Sequence, residues 1–119
     1  TWFEPVGKSK ITWNRTAISQ EEATGASTFS HGLGFGDLNK DGQHDIITTG
    51  GWWSSHTRPS KSPWEYHQVD LGEPCSQLYV YDMDLDGDQD VVCASAHYYV
   101  FWWHEQTDLG IFKTILIDS

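Results

Sequence analysis

Basic residues are scarce in this sequence: seven lysines and arginines stand against seventeen aspartates and glutamates, giving a formal charge of −10 over 119 residues. So acidic a surface repels phosphate backbones and anionic headgroups, which excludes nucleic acid and a membrane surface as partners and favours cations. Long apolar runs are also missing. No stretch approaches the roughly 18 residues of a membrane span, and no basic-then-apolar leader opens the chain. Its first residue is Thr1 rather than Met, the expectation for a processed chain or an excised piece. Helical periodicity is absent as well. Only two cysteines occur, Cys75 and Cys93, and their spacing leaves open both a single disulfide and two buried thiols.

What the chain does have is tryptophan. Seven in 119 residues are too many for a disordered segment, and they recur in order. Trp2-Phe3, Trp52-Trp53 and Trp102-Trp103 fall fifty residues apart, the segments 13–19, 64–70 and 112–118 echo one another, and two acidic loops lie 45 residues apart. Each unit reads as a short strand, an acidic loop, a β-branched strand, a Trp-rich strand, a loop and an alternating strand. The expected strands are 32–36, 46–49, 51–53 and 64–69 in one unit, and 77–81, 91–95, 100–104 and 112–117 in the next.

Four strands in 40 to 50 residues is the pattern of a β-propeller blade, with both sheet faces buried. The expected fold is therefore all-β. Residues 1–19 supply the last two strands of a preceding blade, 20–70 a complete blade with loop 37–45, and 71–119 a complete blade with loop 82–90. That is about two and a half blades, whereas propellers close with roughly four to eight. Further blades, in a longer chain or in other subunits, are the expected partners, because the terminal aromatic faces need cover.

Both loops fit the pattern D-x-[DN]-x-D-G-x-x-D. A hard cation such as Ca²⁺ takes six to eight oxygens at about 2.3 to 2.6 Å, and alternate residues of a tightly wound loop can aim theirs at one centre. The expected ligands are Asp37, Asn39, Asp41, Gln43 and Asp45 in the first loop, and Asp82, Asp84, Asp86, Asp88 and Asp90 in the second. Gln43 and Asp88, at position seven, would offer backbone carbonyls, and glycine at position six permits the sharp turn. An EF-hand needs Glu at position twelve, where this chain has Thr48 and Cys93. Asp, Asn and Gly also make ordinary turns, but recurrence at corresponding places favours the metal reading.

These loops, following Gly34-Phe35-Gly36 and Tyr79-Val80-Tyr81, resemble the FG-GAP or VCBS repeats of seven-bladed calcium-binding propellers, the family of the integrin α-subunits. The resemblance implies that each Ca²⁺ stiffens the turn between the two innermost strands of a blade. Outside the loops, His31-Gly32-Leu33-Gly34, the segment 93–99 and Trp102-Trp103-His104-Glu105-Gln106 resemble a branch found in secreted or carbohydrate-active proteins. That implies an extracellular setting and a possible carbohydrate ligand. Asn14-Arg15-Thr16 matches the N-glycosylation pattern.

The strand order also places His31, before the first strand of one unit, and His97, after the second strand of the next, at the end opposite the acidic loops. Both are candidate catalytic residues, as general base or metal ligand, with Tyr98, Tyr99 or Glu105 as acid or orienting group. The alternative is that each hydrogen-bonds a neighbouring loop, which is also the expectation for His44, His56 and His67. The arrangement resembles the aldos-2-ulose dehydratases, which implies a sugar lyase or dehydratase fragment as a second function. The tryptophans could stack on sugar rings, but the recurring Trp52, Trp53, Trp102 and Trp103 point to packing between sheets.

Overall fold

The computed structural model describes residues 1–19, 30–55, 63–95 and 97–119. Among them there is no helix, and thus none long and apolar enough to cross a membrane. Within the described residues ten strands form three antiparallel sheets. Strands β1 (Trp2–Val6) and β2 (Thr12–Thr16) make a two-stranded first sheet. Strands β3 (Gly34–Gly36), β4 (Asp45–Thr48), β5 (Gly51–Ser54) and β6 (Glu65–Gln68) make a four-stranded middle sheet in sequence order. Strands β7 (Gln77–Tyr81), β8 (Asp90–Ala94), β9 (Phe101–Asp108) and β10 (Ile111–Asp118) repeat that order in a third sheet.

Side-chain alternation along the strands sorts residues between the faces. In the middle sheet Gly34, Ile47, Trp52 and His67 stand in one row, and Phe35, Ile46, Trp53 and Tyr66 in the next. The first row faces the third sheet, where Ile47 and Trp52 join Leu38, Leu71, Cys75, Leu78, Val91 and Cys93 in one core cluster. The second row turns the other way, and Trp53 packs there with Ile18 and Trp64 against Trp2 and Ile46. A backbone bond from Trp64 N to Ile18 O, 3.0 Å, fastens the first sheet to the middle one. Trp52, Trp53 and Trp64 thus act as core, and full burial of such a ring stabilises by roughly 2 to 3 kcal/mol.

The third sheet departs from the fifty-residue tryptophan spacing. Ile47 pairs with Trp52, and its counterpart Val92 pairs with Trp103, so the counterpart of Trp52 is Trp103 and that of Trp53 is His104. The displacement arises in the connections. Thr48 pairs with Gly51 across a two-residue turn, whereas Cys93 pairs with Trp102 across eight residues. The longer connection carries His97, Tyr98 and Tyr99, and is closed by a bond from Ser95 N to Val100 O of 2.9 Å. Trp102 consequently joins the core shared with Trp52 from the opposite side.

Cys75 and Cys93 form a disulfide with Cα atoms 5.7 Å apart, tying the segment before β7 to β8. Both are buried, and no free cysteine remains.

Candidate metal centre

Both four-stranded sheets turn from their first to their second strand through an acidic loop. The two loops share a backbone path: position four is left-handed in each, Lys40 at φ 60° and Leu85 at φ 65°, as are the glycines at position six, Gly42 at 82° and Gly87 at 94°. Left-handed residues other than glycine are uncommon, so the shared pair marks one loop geometry rather than two unrelated turns.

That path lets early carboxylates accept later backbone amides. Asp37 accepts from Asp41 N at 3.0 Å through Oδ1 and from Gly42 N at 2.8 Å through Oδ2. Asn39 Oδ1 accepts from Asp41 N, 3.1 Å, and Asp41 Oδ1 from Gln43 N, 2.8 Å. In the second loop Asp82 Oδ2 accepts from Gly87 N, Asp84 Oδ1 from Asp86 N and Asp86 Oδ1 from Asp88 N, at 3.0, 3.2 and 2.8 Å.

The aspartates at position nine also reach beyond their own loops. Asp45 is fully buried; its Oδ2 accepts from Leu38 N at 3.0 Å and its Oδ1 from Ser55 N at 3.1 Å. Asp90 matches it, accepting from Met83 N at 3.0 Å and Gln106 N at 2.9 Å. Each carboxylate therefore buckles its loop to the end of the third strand of its sheet. Burial pushes the Asp45 carboxyl above its usual range, against the opposing pull of the Ser55 and Leu38 amides.

In the second loop, ligand atoms of Asp82, Asp84 and Asp86 all lie within 4.8 Å of one another. Asp82 Oδ1 is shut away from water with no hydrogen-bond partner. A buried carboxylate oxygen without a partner is costly, and a cation at the point where the three carboxylates converge would satisfy it. Desolvation, and then the Asp86, Asp90 and Asp82 charges, hold the Asp84 carboxyl above its ordinary range. An all-oxygen donor set suits a hard cation. The first loop is less charged, with Asn39 and Gln43 where the second has Asp84 and Asp88. Its Asn39 Nδ2 donates to Asp41 Oδ2 at 3.2 Å.

Two residues that the motif does not mark join the loops. The Lys40 ammonium pairs with the Asp88 carboxylate, and that hydrogen bond raises the lysine above its ordinary pKa. Gln106, buried in β9, donates through Nε2 to Leu38 O at 3.3 Å and to Gln89 O at 3.0 Å, while its Oε1 accepts from Gly110 N at 2.9 Å. One amide thus spans both loops, reaching a carbonyl 68 residues away. No local pattern could have pointed to it.

At the opposite end of the sheets the rings of His31 and His97 meet edge to face, centroids 5.6 Å apart. Both are exposed, and Tyr98 and Tyr99 follow on the same connection. Glu105 is not with them. It sits near the loop end of β9 and pairs with Lys113 at 2.9 Å. His44 meets Phe35 edge to face and His67 stacks on Trp52 at 4.1 Å, while His56 lies outside the described residues.

No family model, curated protein or solved structure matches this chain.

Proposed function

We propose that this chain is a calcium-binding segment of a β-propeller, its two four-stranded sheets being complete blades and its two-stranded sheet the outer half of another. Each acidic loop holds one Ca²⁺ through side chains at positions one, three, five and nine and the carbonyl at position seven, the position-nine carboxylate also closing the loop through the two amides it accepts. The bound ion stiffens the turn between the two inner strands, and the segment serves assembly with further blades and binding of a ligand such as a carbohydrate. The observation that carries the reading is the convergence of Asp82, Asp84 and Asp86 around the buried, unpartnered Asp82 Oδ1. An extracellular setting agrees with the Cys75–Cys93 bridge, which persists in oxidising compartments. There Asn14, exposed on β2, would be open to glycosylation.

Thermal unfolding with added Ca²⁺ or a chelator tests this, together with Asp82→Asn and Asp84→Asn variants. Calcium at a hundred times its dissociation constant should stabilise the fold by about 2.7 kcal/mol per site. The second-loop variants should lose that loop's share and keep the other. A melting temperature indifferent to both millimolar calcium and chelator rules the reading out.

The approach of His31 to His97 favours a second reading, a sugar dehydratase. One imidazole would remove the proton next to a carbonyl while a neighbouring acid protonates the departing hydroxyl, which leaves as water. Such a base is worth roughly 10² to 10⁴ in rate. If an oxidised sugar loses water at equal rates with the native chain and with His31→Ala or His97→Ala, the histidines are not catalytic.

A further inference from the structure

The contact between the middle and third sheets has a strict size requirement. Leu78 and Val80 of β7 lie over Gly34 and Gly36 of β3, where an added Cβ would stand 2.9 Å from Leu78 Cβ at Gly34 and would overlap Val80 at Gly36. Only residues without a side chain let the inner strands approach this closely.

The offset of 45 residues between the acidic loops makes Leu33 and Phe35 the counterparts of Leu78 and Val80. Leu78 is 4% exposed, whereas Leu33 and Phe35 are 64% and 67% exposed. With His44, Ile46 and Trp2 they line an apolar cavity of about 290 Å³. The cavity lies beside the two-stranded first sheet, whose strands correspond to β5 and β6, since Trp2 precedes Trp52 by fifty residues and packs on Trp64 at 6.1 Å. The cavity is thus where two inner strands of the first sheet would stand.

We propose that this face docks an antiparallel β-hairpin that extends the β1–β2 sheet inward and sets glycine at two alternate positions over Leu33 and Phe35. It rests on the blade reading above but not on its metal, and the argument is continuity: it repeats, one sheet earlier, the packing of β7 on β3. A second copy of the chain fits poorly. Its own Gly34 and Gly36 are covered by β7, and the face that it leaves open presents Tyr79 and Tyr81 at the two positions that must be small.

The test is to extend the full chain with a duplicate of residues 30–50 ahead of Thr1, the join that leads from β4 into β5 in the middle sheet. A matching extension has the glycines corresponding to Gly34 and Gly36 replaced by tyrosine. The glycine form should raise the unfolding midpoint by roughly 5 °C or more, protect the amides of Leu33 and Phe35 from exchange, and lose both effects with Leu33→Asp or Phe35→Lys. Those two side chains are exposed, so the variants leave the unextended fold intact. The tyrosine form should do none of this. Runs in chelator separate the outcome from the calcium reading. Should the extended chain fail to fold, a free peptide of residues 30–50 added to the native chain must give the same protection. Equal effects from both extensions, no protection from either, or protection that appears with doubling of the mass of the native chain would overturn the proposal.

Discussion

Single side chains in this protein change role with one step of register. His104 stands where the middle sheet has Trp53, fully buried, with Nδ1 2.9 Å from Thr114 Oγ1 and Nε2 without a partner. Burial lowers its pKa from 6.5 to about 4. The imidazole is therefore neutral in the folded chain, while the unfolded chain takes up its proton from pH 6.5 downward. Its contribution is fully present above pH 6.5 and is lost as pH falls through about 4. The loss should amount to about 3 kcal/mol at one shift unit per 1.36 kcal/mol. Asp45, whose carboxyl burial raises, works in the opposite direction and cannot produce such a loss. Denaturant midpoints measured between pH 7 and pH 4 should fall steeply for the native chain and less for His104→Leu. Equal slopes would show that the histidine is not held neutral.

At the scale of elements, glycines set how closely the sheets approach. Gly36→Ala should cost about 1 to 3 kcal/mol by forcing β3 away from Val80. Val80→Ala should recover part of that loss in a double-mutant cycle, which separates crowding from strand propensity. Gly42→Ala is a control of a different kind. No atom lies within 4 Å of its added Cβ, so its penalty comes from φ 82° alone and should not respond to Val80→Ala. The hairpin β9–β10 shows where pattern reading falls short. The polar residues Glu105 to Asp108 carry no strand signal, yet β9 runs through them. Gln106 N is held by Asp90, Glu105 pairs with Lys113, and the turn at Leu109 and Gly110 is tight. Tertiary hydrogen bonds there extend a strand that local propensity would have ended.

Across the whole molecule, acidity and openness have a common logic. Part of the −10 charge gathers in two loops at the same ends of their sheets, where bound cations would relieve repulsion that otherwise opposes folding. The calcium experiment should therefore register as global stability and not as a local change in one turn. The apolar face of the third sheet, with Tyr79 and Tyr81 outward, and the cavity beside the first sheet mark the two ends of the stack. Strand positions and acidic turns were legible in the sequence because they follow from local alternation, Asp spacing and glycine at positive φ, all contained in short stretches of chain. Other features depend on distances between residues far apart in sequence. Only the tertiary structure decided that Asp45 and Asp90 buckle their loops while Asp82, Asp84 and Asp86 converge, that Cys75 bridges Cys93, that Gln106 spans both loops, and that His31 meets His97. Those are packing outcomes, fixed by how closely one sheet can lie on the next.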